Sequence, residues 1–175
     1  MTPSATPQTG DSSLAATIGR LAGVVGHAHY PAGDRAALKR WAPGQPVPLA
    51  FYRLWLRHLG DELPAESQTP AWMTLAWGVA ALGAASHRPD RPLGRALAES
   101  GYAEARLERL LAAPEELRIE LFMSTARFLA ARNESFDWLD AALFLLTTDP
   151  QAHERACRRI AQAFFRHLPR DLAKE

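Results

Sequence analysis

Cysteine is almost missing from this chain: Cys157 is the single thiol in 175 residues. That excludes an internal disulfide framework and any zinc site built from several thiolates, and a reduced, cytoplasmic setting is the simplest fit. β-Branched residues are scarce and no run alternates apolar with polar side chains, so nothing in the pattern calls for a sheet. The start of the chain carries neither a basic segment nor the apolar run that directs secretion. The longest apolar stretch, Ala71 to Ala85, is short for a membrane span and is interrupted by Thr74, Gly78 and Gly83. No GxSxG, HExxH or Walker-type glycine loop is present, so no familiar catalytic signature points to an enzyme. The net charge is only +1, which argues against indiscriminate binding to nucleic acid.

What is abundant is alanine and leucine, within an apolar fraction of 47%. That composition predicts an all-α protein of about eight to nine helices, forming two packed helical halves without a sheet. Residues 1–13, rich in Ser, Thr, Pro and Gly, read as a disordered tail. An N-terminal half over 14–88 and a C-terminal half over 89–170 would meet at the HRPDRP break at 87–92. Helices are expected over about Leu14–Val25, then after Asp34 as N-cap, over Leu49–Leu59, and over Pro70–Ser86 as the central core helix. Further helices are expected from Pro92 to the Ser100-Gly101 break and over Tyr102–Leu111. The last three are expected from Pro114 to about Arg132, over Phe136–Leu146, and from the Asp149-Pro150 cap to Leu168.

Charge is unevenly distributed. Residues 34–59 carry five basic side chains (Arg35, Lys39, Arg40, Arg53, Arg57) against one acid, while 115–140 carry six acids against three arginines. Such segregation can become a basic and an acidic face, or can be intermixed by folding. The final helix is the clearest case. With about 100° per residue, Arg155, Arg158, Arg159, Gln162, Arg166 and Arg170 fall in an arc of roughly 120°, opposite Ala156, Ile160, Ala163, Phe164 and Leu168. This is either a solvated face or a row of guanidiniums suited to a phosphate backbone. The aromatics Trp41, Phe51, Tyr52, Trp55, Trp72 and Trp77 could stack on bases, but helical spacing favours core packing for Phe51, Trp55 and Trp72.

Other candidates are weaker. His27 and His29 are two apart and point to different helix faces. His153 and Cys157 are four apart but lack a third ligand, and read as a solvated histidine beside a buried thiol, so no metal or other cofactor is expected. Asp137 and Asp140 could form a carboxylate pair, but Asp137 sits at a helix start and reads as a cap or ion-pair partner. Arg127 lies near Glu116 and Glu120 on the helical wheel, so an ion pair competes with any ligand role.

The segments GDRAALKRW (33–41), FYRLW (51–55), WGVAALGAASH (77–87), PLGRALAES (92–100), ARLERLLAA (105–113), FDWLDAALFLL (136–146) and HERACRRIAQAFFRHL (153–168) occur in an order that resembles the CasB family. That family is the small subunit of the type I-E CRISPR Cascade effector complex, and the resemblance spans about Asp34 to Leu168. It implies an all-helical, non-catalytic subunit, present as two copies arranged head to tail beside the other Cascade subunits. Positive side chains would stabilise the crRNA–target DNA R-loop, including the displaced strand. On this sequence the implied contacts are Lys39, Arg40, Arg53, Arg106, Arg127 and the cluster Arg155, Arg158, Arg159; Arg57 joins them by sharing a helix face with Arg53. Tyr102 and Leu107 stand where relatives can be basic. The alternative is a purely structural helical adaptor that links other subunits without touching nucleic acid.

Overall fold

The computed structural model describes residues 9–170, with side chains from Ser13 onward. Among the described residues the chain is all-α, with nine α-helices and no sheet. They are α1 (Thr9–Val25), α2 (Ala32–Arg40), α3 (Leu49–Leu54), α4 (Thr69–Leu82), α5 (Leu93–Glu99), α6 (Glu104–Leu111), α7 (Glu115–Ala130), α8 (Trp138–Leu146) and α9 (Pro150–His167). A π-helical turn, Trp55–Leu59, continues α3, and a short 3-10 turn, Glu66–Gln68, leads into α4. No helix is long and apolar enough to cross a membrane. The segment expected to be a disordered tail falls partly on residues 1–8, outside the described residues. Its remainder, 9–13, forms the start of α1, whose TGDSS sequence is made of residue types that favour helix N-termini.

Helix α4 is the core helix that its apolar sequence predicts: every residue from Ala71 to Ala80 is buried, and α1, α2, α7 and α8 all pack on it. It stops at Leu82 rather than Ser86, because Gly83 (φ 76°) and Ala85 (φ 59°) take left-handed backbone conformations that end the helix. Two other helix stops obey the same chemistry, with Gly101 at φ 73° after α5 and Asn133 at φ 54° after α7. The expected role of Asp34 is corrected. Helix α2 begins three residues earlier, with Pro31 at its N-cap, so Asp34 sits within the first turn and its carboxylate is free to reach Arg53.

The connector 83–92 and the loop before α8 are tied together. Residues His87 and Phe136 form an isolated parallel β-bridge, with Arg88 N–H donating to Phe136 O at 2.9 Å. The Trp138 indole donates to Ser86 O at 3.2 Å, and the Trp138 backbone N–H donates to His87 Nδ1 at 3.1 Å. That last bond needs an unprotonated Nδ1, and burial accordingly lowers the His87 pKa, against the opposing pull of Asp137. Arg91 is buried and pairs with Glu99 and Glu134 while donating to Ser135 O. One hydrophobic cluster runs from Ile18 to Phe164 and draws on both sides of this connector.

Helices α5 and α9 lie against each other at backbone distance. A Cβ on Gly94 would overlap the Ile160 carbonyl and the Phe164 amide, so only glycine fits there. Asp149 caps α9 by accepting from Ala152 N at 2.8 Å, and Pro150 occupies the first turn. The amphipathic sequence of α9 therefore docks in one fixed rotation, with Ile160 and Phe164 down.

Candidate nucleic-acid interface

All nine basic candidates are exposed: Lys39, Arg40, Arg53, Arg57, Arg106, Arg127, Arg155, Arg158 and Arg159. They occupy separate places. Lys39 and Arg40 form the last turn of α2, where cations complement the helix dipole. Arg53 on α3 and Arg57 on the π turn sit nearby, since α2 packs on α3. Arg53 is not free. Its guanidinium donates to both Asp34 carboxylate oxygens, at 2.6 and 3.3 Å, and this hydrogen bonding raises its pKa further. Lys39, Arg40 and Arg57 have no ion pair among the described residues.

Arg35, which belongs to the same basic run in the sequence, has a different task. It donates to Val25 O at 2.9 and 3.2 Å and to His27 O at 2.8 Å, satisfying carbonyls that the end of α1 leaves open. Trp41, Phe51, Trp55, Trp72 and Trp77 are all buried, so they pack rather than stack on bases. Tyr52 is half-buried.

On α9 the helical wheel predicts the exposure pattern. Arg155, Arg158, Arg159, Gln162 and Arg166 are exposed, as is Arg170 beyond the helix, while Ala156, Ile160 and Phe164 are buried and Ala163 and Leu168 half-buried. Arg159 again differs from its neighbours. Its Nε lies 2.9 Å from Oδ1 of Asp140, which is 2% exposed, and its Nη2 lies 3.9 Å from Asp137. Burial raises the Asp140 pKa; the Leu93 N–H, donating at 2.9 Å, and the charge of Arg159 oppose that rise. Asp137 caps α8 by accepting from Leu139 N at 3.0 Å. The two aspartates therefore act as a cap and a buried anchor. No ion pair involves Arg155 or Arg158 among the described residues.

Arg127 and Arg106 are held by rings rather than acids. The Arg127 guanidinium sits 5.2 Å from the Trp77 ring centre, and no ion pair to Glu116 or Glu120 forms. Arg106 lies over the Tyr102 and Phe128 rings at 5.2 and 5.6 Å. Tyr102 (6% exposed) and Leu107 (2%) are core residues, which explains why neither contributes charge here. His153 is buried rather than solvated: its Nε2 lies 3.3 Å from the Cys157 sulfur and its ring packs on Phe144. No group of three or more metal-ligating side chains occurs among the described residues.

The sequence pattern placed the α9 face correctly but could not separate Arg159 from Arg158, because the partners of Arg159 come from a helix start twenty residues away. Arg35 was equally opaque, since its partners are backbone carbonyls. Arg109, one turn after Arg106, is exposed beside a small cavity, and its spacing from Arg106 is the sequence signal for it.

A family model described as CRISPR-associated protein Cse2 matches residues 34–165, about three quarters of the chain. No curated protein and no solved structure matches the chain.

Proposed function

The chain belongs to the CRISPR-associated protein Cse2 family, and from that premise we propose that it is a non-catalytic small subunit of a type I-E CRISPR Cascade ribonucleoprotein. In this reading it acts in the cytoplasm beside other Cascade subunits and a second copy of itself. Its basic side chains contact phosphates of the crRNA–target DNA R-loop, including the displaced strand. The observation that carries the reading is the α9 face, where Arg155 and Arg158 project from a capped helix whose opposite side is locked into the core. Contacts of this kind are independent of sequence, which suits a complex whose guide RNA supplies the sequence. R-loop formation is nearly balanced, so a modest number of backbone contacts shifts it. A net charge of +1 suffices when the rest of the complex supplies the effective concentration.

The test is to replace Lys39, Arg40, Arg53, Arg127 and Arg158 together with Ala in the assembled complex. Target-DNA affinity and its salt dependence should both fall; an assembled variant with unchanged affinity and salt slope would overturn the reading. A second reading, a helical adaptor without nucleic-acid contacts, is favoured by exposed apolar side chains on the same elements. Leu49 is 70% and Leu56 49% exposed beside Arg53 and Arg57, and Phe165 is 56% exposed on α9. In that case the same variant is lost from the complex, which co-purification with crRNA detects.

A further inference from the structure

A cavity of about 150 Å³ lies between α6 and α7, lined by Tyr102, Arg106, Arg109, Leu110, Leu121 and Ser124. Its construction follows from the amphipathic sequence of α6. Leu107 and Leu110 are buried, which turns Arg106 and Arg109, three residues apart, to the same side. Two guanidiniums one turn apart repel each other, and neither has an ion-pair partner among the described residues. Glu104 and Glu108 on α6 and Glu120 on α7 are exposed and do not line the cavity.

One member of the pair is pre-positioned. Arg106 rests over the Tyr102 and Phe128 rings, and Tyr102 is itself fixed by a 2.8 Å hydrogen bond to the Thr125 hydroxyl. Across the cavity, Ser124 offers a hydroxyl donor on the exposed side of α7. Leu110 and Leu121 add apolar lining beside the charges, which strengthens charge interactions there. Planar guanidinium forks match the oxygen spacing of phosphate, and serine hydroxyls commonly complete such contacts. The space is well above what one water needs and admits a phosphate group.

We propose that this cavity is a seat for a single phosphate group, gripped by Arg106, Arg109 and Ser124, and that it takes one backbone phosphate of a bound strand. The seat deepens the function proposed above and rests on that reading for the strand, though not for the phosphate. The flat α9 face can meet a strand in many registers, whereas a concave seat fixes one phosphate and with it the position of the neighbouring nucleotides.

The experiment uses the full chain, isotopically labelled for NMR, with inorganic phosphate titrated at constant ionic strength against chloride. Saturable shifts should appear at the Arg106 and Arg109 Nε–H groups and the Ser124 amide. They should vanish in Arg109→Gln, weaken in Ser124→Val, and persist in Arg158→Gln. Shifts that fail to saturate, or that spread evenly over all exposed arginines, overturn the seat. The second arm adds single-stranded oligonucleotides with and without a 5′-phosphate. Equal displacement of inorganic phosphate by both supports an internal backbone phosphate, and displacement by the phosphorylated strand alone overturns that assignment. Arg109→Gln should also lower the salt slope of oligonucleotide binding by about 0.7, the value for one phosphate on a single strand. Oligonucleotide binding that Arg109→Gln leaves unchanged overturns the seat's contact with a strand while the proposed function stands. A seat that saturates with phosphate but is never displaced by a strand retains the phosphate site and removes its link to that function.

Discussion

The basic faces at the two ends of the chain look alike in sequence and differ in what lies beneath them. On α2, α3 and the π turn, Arg53 is paired with Asp34, whose side chain is 19% exposed; on α9, Arg159 is paired with Asp140, whose side chain is 1% exposed. Both arginines are themselves about half exposed, at 44% and 51%. Water can therefore replace Arg53 at Asp34 but cannot replace Arg159 at Asp140 as cheaply. In each face one arginine is committed inward while its neighbours, Arg57 or Arg158, remain available. The lesson is that an exposed arginine is classified by the burial of its partner rather than by its own.

The largest expected effect breaks the seat of α9 itself. Gly94→Ala forces a methyl group into the Ile160 backbone, and backbone cannot yield as a side-chain tip can. A loss of about 3 kcal/mol is expected, at the upper end for overpacking, read as a lower midpoint in chemical unfolding. The α2–π face, which does not rest on this contact, should keep its local structure in any variant that still folds. Equal loss of amide protection at both ends would show that the two faces are not separable.

The next effect sharpens the comparison directly. Arg159→Ala removes the cation 2.9 Å from a buried carboxylate whose one hydrogen bond comes from the Leu93 N–H, and should cost about 2 kcal/mol. Arg53→Ala should move the unfolding midpoint by no more than the scatter between repeats. The pH dependence has a definite sign. Because burial raises the Asp140 pKa, the folded chain holds that proton more tightly than the unfolded chain does. Ionising Asp140 therefore costs stability as pH rises from the ordinary aspartate value to the folded one, and Arg159 offsets that cost. Without Arg159 the folded Asp140 pKa rises further, so the deficit of Arg159→Ala should shrink as pH falls from the variant's folded pKa to the wild-type one and be gone below both. A deficit that stays constant to acid pH would mean that Arg159 acts through packing of its aliphatic stem.

These contrasts also mark what the sequence could and could not convey. Helix existence and several stops are local chemistry: Gly83, Gly101 and Asn133 end helices because of their own backbone preferences, and Asp149-Pro150 starts one. The apolar stripe Phe51, Trp55, Leu59 was legible too, and all three are buried. Its four-residue spacing gains about 40° per step on an α-helix, and the π turn over Trp55–Leu59 is where the wider winding occurs. Partners distant in sequence were not legible. Asp34 reaches Arg53, Arg35 reaches Val25, and Asp140 reaches both Leu93 and Arg159, all through tertiary packing that a helical wheel does not contain. Exposure on α9 could thus be read from the sequence, while the division of labour among its arginines could not.

The smallest effect in free energy is the most informative about function. Arg158→Ala should leave the unfolding midpoint unchanged, because the side chain is exposed and has no ion pair among the described residues. In the assembled complex it should lower the slope of log affinity against log salt by about 0.9 on duplex or about 0.7 on a single strand. Arg159→Ala should do the reverse, reducing stability at neutral pH while changing the slope little, since its charge is already shared with Asp140. Measuring both variants for both quantities gives four numbers that separate a phosphate contact from a positioning residue. If Arg159→Ala lowers the salt slope as much as Arg158→Ala does, then Arg159 releases Asp140 when a strand arrives. Nucleic-acid binding would then carry a proton uptake at that buried carboxylate, visible as tighter binding at lower pH in the wild-type chain and absent in Asp140→Asn.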